Sequence, residues 1–386
     1  MSTLLQHFSA HTRPNWAEID LEALRRNRRA ICDHLKDGIT PCYVVKCDAY
    51  GHGVVPCAQA LEADGAEWLG VTSTEEGVAL RMEGVNTRVL IMTGFWRGEE
   101  EAVVQHELTP AVATAEHIDA LERAALLLNR EPKSVAVHLK IDTGMSRFGV
   151  SLAELPKLAQ RIASAQYVRL EGIFSHMASA EVLDAEDARR QVERFDGAIE
   201  TLRKLGIEPR YQHLANSAAI QARPAAWHNM VRPGLTLYGY AAEFPGHPEA
   251  AIEVAPVLSW KTRIVGLREV PAGTPVGYNG RTVTARATRI GLIAAGYGDG
   301  LTRHLSTRGR VIVRGAYAPI LGNVSMDMTT VDVTEIPGIA IGDEVTLIGR
   351  DGEAFIPATE HANFAGTIPY EILCGISPRV PRIYIG

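Results

Sequence analysis

The chain has 386 residues, 46% hydrophobic and 22% charged, with 39 Lys and Arg against 45 Asp and Glu, a formal net charge of -6. That length suits two domains, the apolar content suits a packed core, and the acidic balance argues against a nucleic-acid binder, which needs a basic surface. No apolar run reaches the roughly 20 residues of a membrane helix, the N-terminus has no signal-peptide pattern, and the five cysteines form neither CxxC nor a zinc cluster, so the expectation is a cytoplasmic, metal-free protein.

From about residue 40, short apolar runs alternate with helix-like stretches. The runs are CYVVK, WLGVT, RVLIM, LTPAVA, VAVHLKID, VRLEGIFS, YQHLA and HNMVRPG, the last ending at Gly234. Continuous apolar strands between amphipathic helices indicate a parallel sheet covered on its outside. Eight such units predict an α/β fold, a (β/α)8 TIM barrel. A doubly wound open sheet is the alternative, since periodicity does not reveal closure. After residue 240 the segment AAEFPGHPEAAIE reads as a linker. Beyond it, VLSWKTRIVGLREV, RIGLIAAG, GRVIVRG, TTVDV, DEVTLIG and RVPRIYIG predict a mostly antiparallel β domain, with one helix near 357–365. The expected division is a barrel over 14–245 and a β domain over 246–386, with residues 1–13 as an extension that packs on the β domain.

Active sites of such barrels lie at the C-terminal ends of the strands. The first predicted strand ends in Lys46, followed by CDAYGHG, where Gly51 and Gly53 allow a tight turn and Tyr50 supplies a hydroxyl. A Lys there is either a solvated strand end or a partly desolvated amine able to bond covalently to a carbonyl. Arg147 follows a Gly-rich turn and is a surface Arg or a carboxylate fork. His176 ends the sixth strand, as a structural histidine or a working one. Asn216 and Ser217 read as a helix start with a capping role, or as a phosphate seat together with the backbone at Gly234. In the β domain, Tyr278, Tyr297, Met326 and Tyr370 lie in Gly-rich or polar turns.

Taken together, VVKCDAYGHG, LKIDTGMSRFG, HMASAE, HLANSA, RPGLTLYG, VGYNG, GYGDG, NVSMDM and TIPYEILCGISPRVPR resemble the alanine racemases, in order from residue 44 to residue 382. The resemblance implies pyridoxal 5′-phosphate as cofactor, a barrel joined to a β domain, and a homodimer whose active sites draw on both chains. It implies that Lys46 carries the cofactor covalently and acts as one acid/base, with Tyr278 from the other subunit as the second. His176 would lie between Tyr278 and Arg232, and Arg232 would face the pyridine nitrogen. Tyr50, Asn216, Ser217, Gly234 and Tyr370 would hold the cofactor, chiefly at its phosphate. Arg147 would contact its phenolic oxygen and the substrate carboxylate, with the Met326 N–H as a further carboxylate contact. Tyr297 and Tyr370 would narrow the pocket to a small side chain. Lys140 matches a position carbamylated in some members, with a plain ion-paired Lys as the alternative. Two positions depart from the family's usual pattern, Asn323 for Arg and Glu181 for Asp, both expected in the access corridor. The implied activity is interconversion of L- and D-alanine, for peptidoglycan or for catabolism. The alternatives are a racemase of broader range, a decarboxylase on the same plan, and a non-catalytic cofactor-binding barrel.

Overall fold

The computed structural model describes residues 13–386, which fall into two compact units. One comprises Leu24–Ala49 and Gly53–Ala255. The other comprises the described residues up to Ala23, Tyr50–His52 and Pro256–Gly386. The expected packing of residues 1–13 on the β domain lies, but for Arg13, outside the described residues.

The chain opens with β1 (Asn15–Asp20), a strand of the second unit, and α1 (Leu21–His34). The first unit then runs through β2 (Thr40–Val44), α2 (Val54–Ala63), β3 (Trp68–Val71), α3 (Thr74–Met82), β4 (Arg88–Ile91), α4 (Glu100–Gln105) and β5 (Thr109–Val112). It continues with α5 (Ala115–Leu127), β6 (Val135–Lys140), α6 (Leu155–Ala163), β7 (Val168–Phe174), α7 (Glu186–Lys204), β8 (Tyr211–His213), α8 (Ser217–Ala222) and β9 (Met230–Val231). Seven parallel ladders join these eight strands in the order β8-β7-β6-β5-β4-β3-β2-β9. The ends meet through backbone bonds from Asn229 N to Gln212 O and from Arg232 N to Ala215 O, 3.4 and 3.0 Å. All eight predicted barrel strands are present. Their interior is filled rather than hollow: Cys42, Trp68, Leu90, Tyr211 and Met230 pack together, all buried.

The β unit is a mostly antiparallel sheet of nine strands. They are β1, β10 (Leu258–Val270), β13 (Thr288–Ile293), β14 (Arg310–Val313), β15 (Ala316–Leu321), β16 (Thr329–Asp332), β17 (Glu344–Asp351), β18 (Ala354–Ile356) and β19 (Arg382–Ile385). The short pair β11 (Pro275–Val276) and β12 (Thr282–Val283) stands apart. A register shift between Ile264 and Gly266 bends the 13-residue β10. The bend lets β10 pair with β13 along one half and with β1 and β17 along the other. Two helices follow, α9 (Ala358–Ala365) where one was predicted and α10 (Pro369–Cys374) where none was.

The unit boundaries differ from those read off the sequence at two places. Residues 14–23 do not belong to the barrel, because β1 pairs antiparallel with β10 and parallel with β19. Its buried face carries Asn15, whose Oδ1 accepts from Trp260 Nε1 at 2.7 Å. A polar side chain in the core position hides the alternation that marks a strand. The barrel unit, in turn, extends to Ala255, where the sequence reading divided the chain at residue 245.

Candidate functional site

Within the barrel, Lys46, Lys140, Arg147, His176, Ser217, Arg232 and Gly234 all lie at or just beyond the C-terminal ends of strands. The segment Lys46–Gly51 coils left-handed, with φ of 53° at Cys47, Asp48 and Ala49, 56° at Tyr50 and 81° at Gly51. Left-handed L-residues cost roughly 1–2 kcal/mol each, so the turn needs external support. Glu76 supplies much of it. Its Oε2 accepts from Thr72 N at 2.7 Å and from Ser73 N at 3.3 Å, the second of which completes the capping box of α3 with the Ser73 side chain, while its Oε1 accepts from Cys47 N at 2.6 Å. Asp48 Oδ1 accepts from Val54 N at 2.8 Å. Strain held this firmly beside a lysine marks a functional position.

Arg232 is the most constrained cation of the barrel. It is buried, and its Nη2 donates to Ser175 O (2.7 Å), Leu214 O (3.1 Å) and His176 Nδ1 (3.4 Å). Its Nη1 donates to His213 O (3.0 Å) and His213 Nδ1 (2.8 Å). Gln191 of α7 braces the His176 loop from behind, donating to His176 O at 2.9 Å and accepting from Ala178 N at 2.8 Å. The charge at this mouth is one-sided. Burial, then Arg232, Lys140, Arg147 and Lys46, pushes His176 down to about 2, so the imidazole is neutral at physiological pH. Burial, then Arg232, Arg147 and Lys46, holds the Lys140 ammonium well below its ordinary value. Lys140 Nζ rests 4.2 Å from the centre of the Phe174 ring. No carboxylate stands among the charges that shift His176, Lys140 or Arg232. Positive groups from Arg232, Lys140, Arg147 and Lys46 gathered at one mouth suit an anionic ligand.

The loop from β6 to Val150 presents Arg147, which is exposed and makes no hydrogen bond or ion pair among the described residues. Asp142 Oδ1 ties the loop down by accepting from Gly144 N and Ser146 N at 2.9 and 3.0 Å. Gly149 closes it at φ +141°, and a Cβ there would lie 2.6 Å from Ile141 C. Gly149→Ala is therefore expected to cost about 2 kcal/mol or more, read as a lower urea midpoint.

Asn216 performs the capping role expected of it, its Oδ1 accepting from Ala219 N at 3.1 Å. Ser217 Oγ accepts from Gly234 N at 2.8 Å. The Gly234 N–H is thus already engaged, and what Ser217 retains is its own O–H to donate.

The β unit gathers a second group of the expected residues. Tyr278 is 69% exposed and lines a shallow cavity of about 370 Å³ with Gly277, Leu292, Asn323, Ser325, Met328 and Thr330. Asn323 is buried, and its Nδ2 donates to Tyr278 O at 3.1 Å, so this departure from the family pattern touches the tyrosine's own backbone. Met326 is 53% exposed, and its N–H donates to no group among the described residues. Its carbonyl accepts from Gly298 N and that of Ser325 from Tyr297 N, both at 2.9 Å, which joins the Met326 and Tyr297 loops. Arg379 locks the pair, donating to Asp299 at 2.6 Å and Asp327 at 2.8 Å. Tyr50 and Tyr370 stack with ring centroids 5.7 Å apart.

Sequence reasoning missed His138, Glu171, Gln191 and His213, all buried. The only signal for the first two was a polar residue inside an apolar strand, in VAVHLK and VRLEGIF.

The family model described as "Alanine racemase, N-terminal domain" matches residues 19–242, and that described as "Alanine racemase, C-terminal domain" matches residues 257–384. The chain is 42% identical over 376 residues to a protein of Symbiobacterium thermophilum named alanine racemase, covering 97% of this chain and 98% of that one. Among solved structures it is similar to alanine racemase from Bacillus anthracis with bound L-Ala-P. There the TM-score is 0.88 and the identity 31%, over 98% of this chain and 96% of that one. It is also similar to alanine racemase from Bartonella henselae with covalently bound pyridoxal phosphate. There the TM-score is 0.84 and the identity 29%, over 96% of this chain and 99% of that one.

Proposed function

This chain belongs to the alanine racemase family, and from that membership we propose that it interconverts L- and D-alanine with pyridoxal 5′-phosphate, as a homodimer with shared active sites. The observation that carries the reading is Arg232, a buried group that can only donate, gripping His176 at a mouth where the charges acting on His176 are positive. The donor set fits an anionic, phosphate-bearing cofactor. When bound, that cofactor supplies a carbonyl for the substrate amine and an electron-withdrawing ring that acidifies Cα.

Lys46 is the residue to hold it covalently. Ser217 contributes a hydroxyl to the phosphate, beside the Asn216 cap and the Gly234 turn, and Tyr50 and Tyr370 contribute hydroxyls of their own. Arg147 binds the substrate carboxylate, assisted by the N–H of Met326 of the partner subunit. Racemisation removes a proton from one face of Cα and delivers one to the other. The Lys46 amine serves one face and Tyr278 of the partner subunit the other. Because His176 Nδ1 accepts from Arg232, its proton sits on Nε2, the atom that would donate to the phenol oxygen of the partner subunit. Tyr297 and Tyr370 narrow the pocket. The depressed Lys140 amine is the form able to take up carbon dioxide as a carbamate, whose negative charge would steady Arg147.

No helix among the described residues is long and apolar enough to cross a membrane. The product D-alanine serves peptidoglycan, or is consumed in catabolism, from the cytoplasm. Asn323→Arg is expected to speed substrate capture and narrow the range of amino acids accepted, read as kcat/KM across a panel of L-amino acids. Unchanged uptake and range would remove Asn323 from substrate access.

The test of function is incubation with L-alanine in deuterated water. Loss of optical activity with deuterium entering Cα is expected, and borohydride should fix a pyridoxyl group on Lys46. Evolved carbon dioxide would point to a decarboxylase instead, and absence of both exchange and trapping would overturn the reading.

A further inference from the structure

The barrel interior holds His138 on β6, Glu171 on β7 and His213 on β8, none of which the proposed reaction touches. Their placement is specific. The β6–β7 ladder pairs Val137 with Leu170 and then His138 with Gly172, leaving Glu171 as the extra residue of a bulge. Bulges re-aim side chains, and Glu171 is buried with Arg88 and Arg169 donating to it, Arg169 Nη1 at 3.0 Å. The bare α-carbon of Gly172 lies flat against the His138 ring. A Cβ there would meet His138 Nδ1 and Cε1 at 2.6 Å, so any other residue would evict the imidazole from this seat.

Hydrogen-bond directions then follow from one fact, that a guanidinium has donors and no acceptor. Arg232 Nη1 lies 2.8 Å from His213 Nδ1, so that nitrogen is bare and the His213 proton is on Nε2. His213 Nε2 lies 2.8 Å from His138 Nδ1, so it donates and the His138 proton is likewise on Nε2. That last N–H is buried without a hydrogen-bond partner among the described residues, and Glu171 Oε2 stands 4.0 Å from His138 Nε2. The chain reads one way only, from Arg232 through two neutral rings toward a carboxylate.

We propose that His213 and His138, with Glu171 facing the far end, form a one-way relay that keeps Arg232 aimed at the barrel mouth as a donor. All three are positioning residues. A His213 proton on Nδ1 would set two donors head-on and swing the guanidinium away from Ser175 O and His176 Nδ1. Burial and the cationic neighbours oppose protonation of either ring. His138 is pushed down to about 3 by burial, Arg88, Arg232 and Arg169. His213 is held well below its ordinary value by burial, Arg232, His138, Lys140 and His228. The proposal leans on the racemase reading only for what Arg232 faces.

Isotope-labelled histidine NMR of the intact protein tests it directly. Both rings are expected neutral with the proton on Nε2, unchanged from about pH 6 to about pH 8. A charged ring, or His213 protonated on Nδ1, would overturn the relay whether or not the protein racemises alanine. Correct tautomers in a protein that does not racemise would leave the relay standing and the functional reading fallen. In variants, His138→Phe keeps a ring but loses the acceptor, whereas His138→Asn places an oxygen near the lost Nδ1. His138→Phe is expected to lower kcat about tenfold with KM nearly constant, and to shift the pH profile. His138→Asn should recover most of both. A His138→Phe protein with wild-type kcat and pH profile, or a His138→Asn protein as damaged as it, would remove His138 from the relay.

Discussion

Tyr278→Phe is expected to slow racemisation about a thousandfold, at the scale of losing a positioned general acid/base. The change removes one oxygen and keeps the ring. Because the side chain is 69% exposed in a single copy, folding stability should move by no more than about 0.5 kcal/mol. Cofactor content should stay the same, since no cofactor contact is assigned to this hydroxyl. The loss should be lopsided. Lys46 still serves its own face of Cα, so deuterium uptake from one enantiomer should persist while exchange from L-alanine collapses. A Tyr278→Phe protein that exchanges both enantiomers at the wild-type rate would rule out the two-base assignment.

Much of this architecture is written in the sequence in a form that local patterns can read. Buried parallel strands must be apolar on both faces, so all eight barrel strands stand out as short continuous runs. Strands of the β unit were legible where a buried face alternates cleanly with a wetter one, as in Thr329–Asp332, or where the run is continuously buried, as in the middle of Glu344–Asp351. They were illegible where the pattern is broken, by Asn15 in β1 or by Pro319 in β15. The site divides along the same line. Lys46, Arg147, His176 and Arg232 could be listed because they end strands, and the family motifs gave them roles. The left-handed turn after Lys46 could not be read, because only Gly51 advertises a positive φ and the other four residues are ordinary L-residues held by partners distant in sequence. The His138–His213 pair was invisible for a related reason. It exists only because a bulge at Glu171 and the missing side chain of Gly172 bring three strands into one register.

Arg232→Glu is the other substitution expected to act strongly, and it should change which reaction occurs as well as its rate. The native guanidinium sits among acceptors only: the carbonyls of Ser175, His213 and Leu214 and the Nδ1 atoms of His176 and His213. A carboxylate in that seat faces lone pairs on every side, and removing one member of a buried network costs about 3 kcal/mol or more. Two influences then compete over its charge. Burial favours the protonated acid, while Lys46, Arg147 and Lys140 nearby favour the anion. In the proposed complex, where Arg232 would face the pyridine nitrogen, both outcomes would allow what the guanidinium forbids, a proton shared between the side chain and that nitrogen. The bound cofactor would then be a stronger electron sink, able to keep the amino group of alanine and release the keto acid. Racemisation should therefore fall about a hundredfold or more, and pyruvate should form from alanine, up to one equivalent per site with the amino group left on the cofactor, where the wild type gives none. Arg232→Lys separates the two effects. It keeps a donor but not the fork that reaches five acceptors at once, so it should slow the reaction without producing pyruvate. Pyruvate from the Lys variant, or none from a folded, cofactor-loaded Glu variant, would mean that the group facing the ring nitrogen does not set the reaction's outcome.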